Sequence, residues 1–292
     1  MIIIADNMEE GIVKEIQGMG KVIYKPDNLE EVIADAEVLV VRSATKVTRG
    51  LIQKAGKLRL VIRAGVGTDN IDKDACKEKG IKVMNTPAAS SNAVAELALG
   101  LIIVGLRNVQ KAHHQMKNRV WDKKHLRGNE IEGKTLGIIG YGRIGSLLGE
   151  KARALGMKTI AYNPPPRHDD GKIVFIEDLD SFLSQSDVVS LHVPATEETK
   201  NMINRETISK MKDGAFIVNT SRGEVIDEDA LYEGCKSGKL KGAALDVYKN
   251  EPYQGKLLEL DNVYFTPHLG ASTREAQIRI GKEVIGILKE FK

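Results

Sequence analysis

Short apolar runs at 1–5, 21–24, 38–41, 60–63 and 82–84 alternate with stretches of helical spacing such as Glu9 to Gly18 and Thr48 to Lys54. No other feature limits the fold as strongly. Runs of aliphatic residues without polar alternation are strands buried on both faces, and strands joined through helices run parallel. The segment "NAVAELALGLIIVGLR", 92–107, is apolar all round, as a helix held between layers must be. After "EIEGK" the alternation resumes, with runs at 135–139, 158–162, 188–191, 215–219, 242–245 and 263–266. The chain ends on "STRE", where Ser272 is placed to cap and Glu275 to reach back. Ile280, Val284, Ile287, Leu288 and Phe291 then follow at helical spacing. The pattern predicts an α/β protein with parallel sheets.

Several partner classes are disfavoured at once. The 43 basic and 40 acidic residues are mixed along the 292-residue chain, so no electrostatic stripe marks a nucleic-acid partner. The longest apolar stretch, Val94 to Leu106, is too short to span a bilayer and contains Glu96, so no membrane association is expected. "MIIIAD" reads as a first strand rather than an export signal, which makes a cytoplasmic location the expectation. Cys76 and Cys235 stand far apart, as two inert thiols would. His113 and His114 have no third ligand at suitable spacing, so no metal site is expected.

Chemistry first enters at "TLGIIGYGRIG", 135–145. Gly140, Gly142 and Gly145 form GxGxxG after a buried strand and at the start of a helix, which is the context a dinucleotide site needs. The first glycine permits the tight turn, the second lets the backbone approach a pyrophosphate, and the third lets helix pack on strand. The helix N-terminus adds free N–H groups and partial positive charge. At the end of the next strand such sites commonly carry a carboxylate for the ribose hydroxyls, and here Asn163 stands instead, in "AYNPPPRH". Asn accepts one bond and donates another. It also removes the negative charge that excludes a 2′-phosphate, so NADP stays open beside NAD, with Arg167 and His168 as candidate attractors or as a solvated loop.

Three further words each follow an expected strand: "VNTSRGEVID", "ALDVYKNEP" and "YFTPHLGAST". They bring Arg222, Glu251 and His268 toward the carboxyl edge of the second sheet, where such folds bind ligands. The residue types suit hydride transfer. His268 would take a hydroxyl proton as hydride leaves the same carbon, Glu251 would orient the imidazole, and Arg222 would fork onto a substrate carboxylate.

In the order and wording of these three segments the sequence resembles the D-isomer-specific 2-hydroxyacid dehydrogenases, over essentially its whole length. The resemblance implies two Rossmann-like, flavodoxin-like domains with the active site in the cleft between them. A discontinuous substrate-binding domain would comprise 1–89 plus 269–292, and an NAD-binding domain 90–268. Arg222, Glu251 and His268 would form the catalytic set. Cofactor contacts would fall to Gly140, Gly142, Arg143, Ile144, Gly145, Asn163, His192, Val193, Pro194, Thr220, Ser221, Arg222, Asp246, His268, Gly270 and Ala271. The resemblance also implies a homodimer through the nucleotide domain, with an arm near 108–134 that makes Trp121 an interface residue. Longer members carry C-terminal regulatory domains, and with Lys292 as the last residue none is expected here.

The first domain would choose the substrate. "VVRSATKVT", 40–48, and "VIRAGVGTDNID", 61–72, resemble their counterparts in the branch that acts on a phosphorylated acid. Arg42, Ser43, Lys46 and Arg63 would face a phosphate and a carboxylate, while Ala64, Gly65, Val66 and Gly67 would offer backbone N–H groups, opposite Arg222 and His268. The expected partner is therefore a small phosphorylated 2-hydroxy or 2-oxo acid. A phosphate-free acid such as glyoxylate or hydroxypyruvate is the main competitor, and a dinucleotide-sensing binding protein on the same fold is the remote one.

Overall fold

The computed structural model describes residues 1–163, 171 and 173–291, and the chain divides into two compact units, Met1–Ser91 with Ala271 onward, and Asn92–Gly270. Arg167 and His168 lie outside the described residues.

The first unit is a five-stranded parallel sheet of β1 (Ile2–Ile4), β2 (Val22–Tyr24), β3 (Val38–Val41), β4 (Leu60–Arg63) and β5 (Lys82–Asn85), in the order β2-β1-β3-β4-β5. In-register pairing sets Ile3 beside Ile23 and Leu39, so alternate residues share a face. Ile3, Leu39, Val41 and Val61 pack on one side with Ile33, Leu51, Ile52 and Cys76. Ile2, Ile4, Val38, Val40, Leu60 and Ile62 pack on the other with Ile12, Ile16, Ile280, Val284 and Leu288. Burial on both faces explains why these strands carry no polar alternation. The helix Arg274–Phe291 closes this unit, and its start corrects one expectation. Thr273, not Ser272, caps it, its hydroxyl accepting from Ala276 N at 3.1 Å, because the helix begins one residue later than "STRE" suggested.

The second unit is a seven-stranded sheet of β6 (Thr135–Ile139), β7 (Lys158–Tyr162), β8 (Val174–Phe175), β9 (Val188–Leu191), β10 (Ala215–Asn219), β11 (Leu240–Leu245) and β12 (Val263–Phe265), ordered β12-β11-β10-β9-β6-β7-β8. All of its pairs are parallel. One face packs Ala95, Ala98 and Ile102 of the helix Ser91–Leu106 and Leu148 of the helix Arg143–Ala154 against Leu136, Ile138, Phe216 and Val218. The opposite face sets Ile139, Val189, Leu191 and Ile217 against Phe182, Ile208 and Leu231 of three further helices. Strand β8, two residues at the sheet edge within the short apolar run Ile173 to Ile176, is not among the strands expected from the sequence. Among the described residues no single helix is long and apolar enough to cross a membrane.

Candidate active site

β6 and β9 are neighbours in the second sheet, but the chain continues from them toward opposite edges. Loops that diverge at such a switch point leave a crevice beyond the carboxyl ends of the strands. Gly140 follows β6 with φ at 93°, and a Cβ there would stand 2.6 Å from the His192 carbonyl oxygen, so only glycine lets the two loops meet. Gly142 heads the helix Arg143–Ala154 and has no atom within 4 Å of where a Cβ would sit. The helix therefore opens, through a residue without a side chain, toward free space. Gly145 packs against the Gly140 carbonyl, closing the turn.

A cavity of about 970 Å³ occupies this crevice, lined among others by Gly140, Gly142, Asn163, His192, Val193 and Pro194. Among the polar atoms of this unit that are buried without a partner among the described residues are His192 Nδ1 and Thr220 Oγ1. Buried polar atoms that the protein leaves unpaired call for an exogenous group. Burial holds the His192 imidazole down to about 4, so the ring is neutral at physiological pH, with Nε2 engaging Ser190 Oγ at 2.9 Å. An uncapped helix start, an open glycine turn and these two atoms fit a nicotinamide dinucleotide. The Asn163 carbonyl, in contrast, accepts from the Tyr141 backbone N–H and so braces the glycine turn itself.

The three catalytic candidates are held by residues that local sequence did not single out for that task. Asn219, 1% exposed at the end of β10, accepts from Ser221 N at 3.0 Å and Ser221 Oγ at 2.8 Å and donates to the Arg222 carbonyl at 2.8 Å. That fixes the backbone carrying Arg222, whose Nη1 donates to Ser221 O at 2.6 Å. Gly223 lies directly against the Tyr248–Lys249 backbone, which puts the Arg222 segment beside the loop bearing Glu251.

Glu251 accepts from Tyr248 N at 3.2 Å and holds His268 Nδ1 at 2.9 Å. His268 itself has φ at 55°. Its loop is latched by Asp246, buried at the end of β11, which accepts from Thr266 Oγ1 at 2.6 Å, Leu269 N at 2.7 Å and Gly270 N at 2.8 Å. Burial pushes the Asp246 carboxyl above its ordinary value of 3.8, while these three donors pull the other way. The Tyr248 hydroxyl bridges the carbonyls of Leu245, at 3.0 Å, and Thr266, at 2.8 Å, and so ties the ends of β11 and β12. Burial pushes that phenol up to about 12, and the ring stacks on Tyr253 at 4.8 Å. In the neutral tautomer that directs Nδ1–H at the carboxylate, His268 Nε2 carries a lone pair that can receive a proton.

In the first unit the corresponding switch point lies between β1 and β3. Arg42, Ser43 and Lys46 follow β3, while Arg63 ends β4 and Ala64 to Gly67 follow it. Arg42 Nη1 donates to Asn7 O at 3.2 Å, and Arg63 Nη1 to Ala64 O at 2.7 Å. Asn85 Nδ2 donates to Val66 O at 2.6 Å, bracing the 64–67 loop. Gly270 belongs to the second unit and Ala271 to the first, where its carbonyl accepts from Gln277 Nε2 at 2.6 Å. Trp121 is 80% exposed.

A dinucleotide crevice beside a carboxylate-backed imidazole is the equipment of a nicotinamide-dependent oxidoreductase. Residues 99–270 match the model of the D-isomer specific 2-hydroxyacid dehydrogenase NAD binding domain. The chain belongs to that family, whose members are NAD-dependent oxidoreductases. It is 52% identical over 270 residues to a hydroxypyruvate reductase of Thermotoga maritima, covering 91% of this chain and 88% of that one. It is 46% identical over 298 residues to a D-3-phosphoglycerate dehydrogenase of Methanocaldococcus jannaschii, covering 99% of this chain but only 57% of the relative. Among solved structures, D-lactate dehydrogenase from Aquifex aeolicus, complexed with NAD and lactic acid, superposes with a TM-score of 0.88 at 34% identity, covering 99% and 94% of the two chains.

Proposed function

We propose that the chain interconverts D-3-phosphoglycerate and 3-phosphohydroxypyruvate with a nicotinamide dinucleotide, the reaction that opens serine biosynthesis. The contact between Glu251 and His268 Nδ1 at 2.9 Å carries the chemical part of this reading, because it leaves Nε2 to take the substrate hydroxyl proton. Arg222 would bind the carboxylate and the adjacent oxygen through its fork of donors. Glu251 would keep the imidazole in one tautomer and offset the charge it gains. The cofactor, when bound, accepts the hydride. NAD is the proposed cofactor, with NADP tolerated because Asn163 adds no charge against a 2′-phosphate.

The basic turn at Arg42 to Lys46 supports a phosphorylated substrate. A second reading, reduction of hydroxypyruvate, is favoured by the Thermotoga maritima relative. One assay decides between them: absorbance at 340 nm with phosphohydroxypyruvate, hydroxypyruvate and glyoxylate, each with NADH and NADPH. A kcat/KM for phosphohydroxypyruvate below that for hydroxypyruvate would overturn the first reading. The proposal includes a cytoplasmic homodimer formed through the second unit with Trp121 at the interface, and a monomer in light scattering would remove that part.

A further inference from the structure

The turn after β3 is shaped from outside itself. Among the described residues no backbone hydrogen bond joins any two of residues 42–45. Asp6, just past β1, accepts from the backbone N–H of Arg42, from Thr45 N at 3.4 Å and from Thr45 Oγ1 at 2.8 Å. From another segment, Asn70 donates through Nδ2 to Arg42 O and to Thr45 O, each at 2.7 Å. A carboxylate grips the N–H groups at both ends of the turn, and one amide grips the carbonyls at both ends. Asn70 is pinned in turn, since Val47 N donates to its carbonyl at 2.8 Å and Val47 bridges Ile71. Ser43, Ala44 and Lys46 remain exposed on the turn.

We propose that Asn70, working with Asp6, is a positioning residue that sets specificity: it holds the 42–46 turn in the shape that presents Arg42, Ser43 and Lys46 to a phosphate group. This rests on the phosphate reading given above. The clamp sits at the switch point between β1 and β3, where this topology places ligands. A turn without internal hydrogen bonds would otherwise have to be ordered by the ligand, and that ordering is subtracted from affinity. Asn suits the task because its NH₂ offers two hydrogens to two carbonyls. A carboxylate at the same place would face those carbonyls with no donor.

The test uses Asn70→Asp, which keeps shape and loses the donors, with Asp6→Asn as a second probe and Arg42→Ala as reference. Each is assayed for kcat and KM with phosphohydroxypyruvate and with hydroxypyruvate. Asn70→Asp is expected to lose about tenfold more kcat/KM on the phosphorylated substrate, chiefly through KM, with the KM for NADH unmoved. Equal losses on both substrates, or no loss on either, would overturn the clamp. If Asn70→Asp shows no cooperative melt, Asp6→Asn is judged by the same split. Arg42→Ala separates the two levels. An equal effect of that change on both substrates sinks the phosphate reading, whereas a selective Arg42→Ala with an unselective Asn70→Asp sinks only the clamp.

Discussion

After β6 the chain runs Gly140-Tyr141-Gly142 into the helix Arg143–Ala154, while after β1, at the matching place in the smaller sheet, it runs Asp6-Asn7-Met8-Glu9 into Glu10–Gln17. Both helices begin just beyond a strand at a switch point. The first start is bare, with open space where a side chain of residue 142 would sit. The second also lacks a side-chain cap but carries two acids, Glu9 at the cap position and Glu10 in the first turn, whose negative charge would repel a pyrophosphate. On the proposed reading one topology serves two tasks: the larger unit would present backbone N–H groups to a dinucleotide, and the smaller unit would rely on Arg42 and Lys46 after β3 and on Arg63 at the end of β4.

The contrast can be broken most forcefully at the chemical step. His268→Ala is expected to lower kcat by about two to four powers of ten, the usual worth of a positioned acid–base group, while NADH binding followed by fluorescence persists. Loss of NADH binding instead would show that the residue holds the cofactor loop rather than the proton. The glycine turn comes next. Gly142→Ala adds a methyl into open space, so the melting temperature should stay put while NADH affinity falls by roughly ten- to a hundredfold from crowding of about 1–3 kcal/mol. Gly140→Ala, by contrast, should destabilise the fold by about 1–3 kcal/mol, since its positive φ and the His192 carbonyl leave no room.

Smaller effects sharpen the same comparison. Tyr248→Phe removes the bridge between the ends of β11 and β12, and denaturant unfolding should register a loss of about 1 kcal/mol. The last effect is tied to pH. All six histidines lie between 113 and 268, within the second unit, and the smaller unit has none. His192 titrates at about 4 when folded against an ordinary 6.5, so the unfolded chain binds its proton first. Its contribution to stability is complete above pH 6.5 and is lost as pH falls toward 4. His192→Asn should flatten that part of the dependence in urea titrations at successive pH values; an unchanged slope would assign it elsewhere.

The strands and the long helices were legible because each is coded within a dozen consecutive residues by the spacing of apolar side chains. GxGxxG was legible for the same reason: strand, glycines and helix start are contiguous. The helix cap was misplaced by one residue, Ser272 for Thr273, because two adjacent hydroxyl residues offer the same local signal. Asn219, Asp246 and Tyr248 were not legible as supports of the Arg222, Glu251 and His268 segments. Asp246 stands in the sequence only as an expected cofactor contact and the other two not at all, because the partners of a polar residue at the end of an apolar run cannot be read locally. Asn163 stands where a ribose contact is expected, and its oxygen also accepts from the Tyr141 N–H across the turn, a bond that local sequence does not show.

Sequence alone determined the α/β class, the two series of strands and the family resemblance, since periodicity and short words are local properties of the chain. Tertiary structure decided which polar side chains grip which turns. Asp6 and Asn70 reach Arg42 and Thr45 from 36 to 39 and from 25 to 28 residues away along the chain. Asp246 reaches Leu269 across 23. Such bonds form between the ends of strands that only the sheet order makes neighbours, and no local spacing encodes that order.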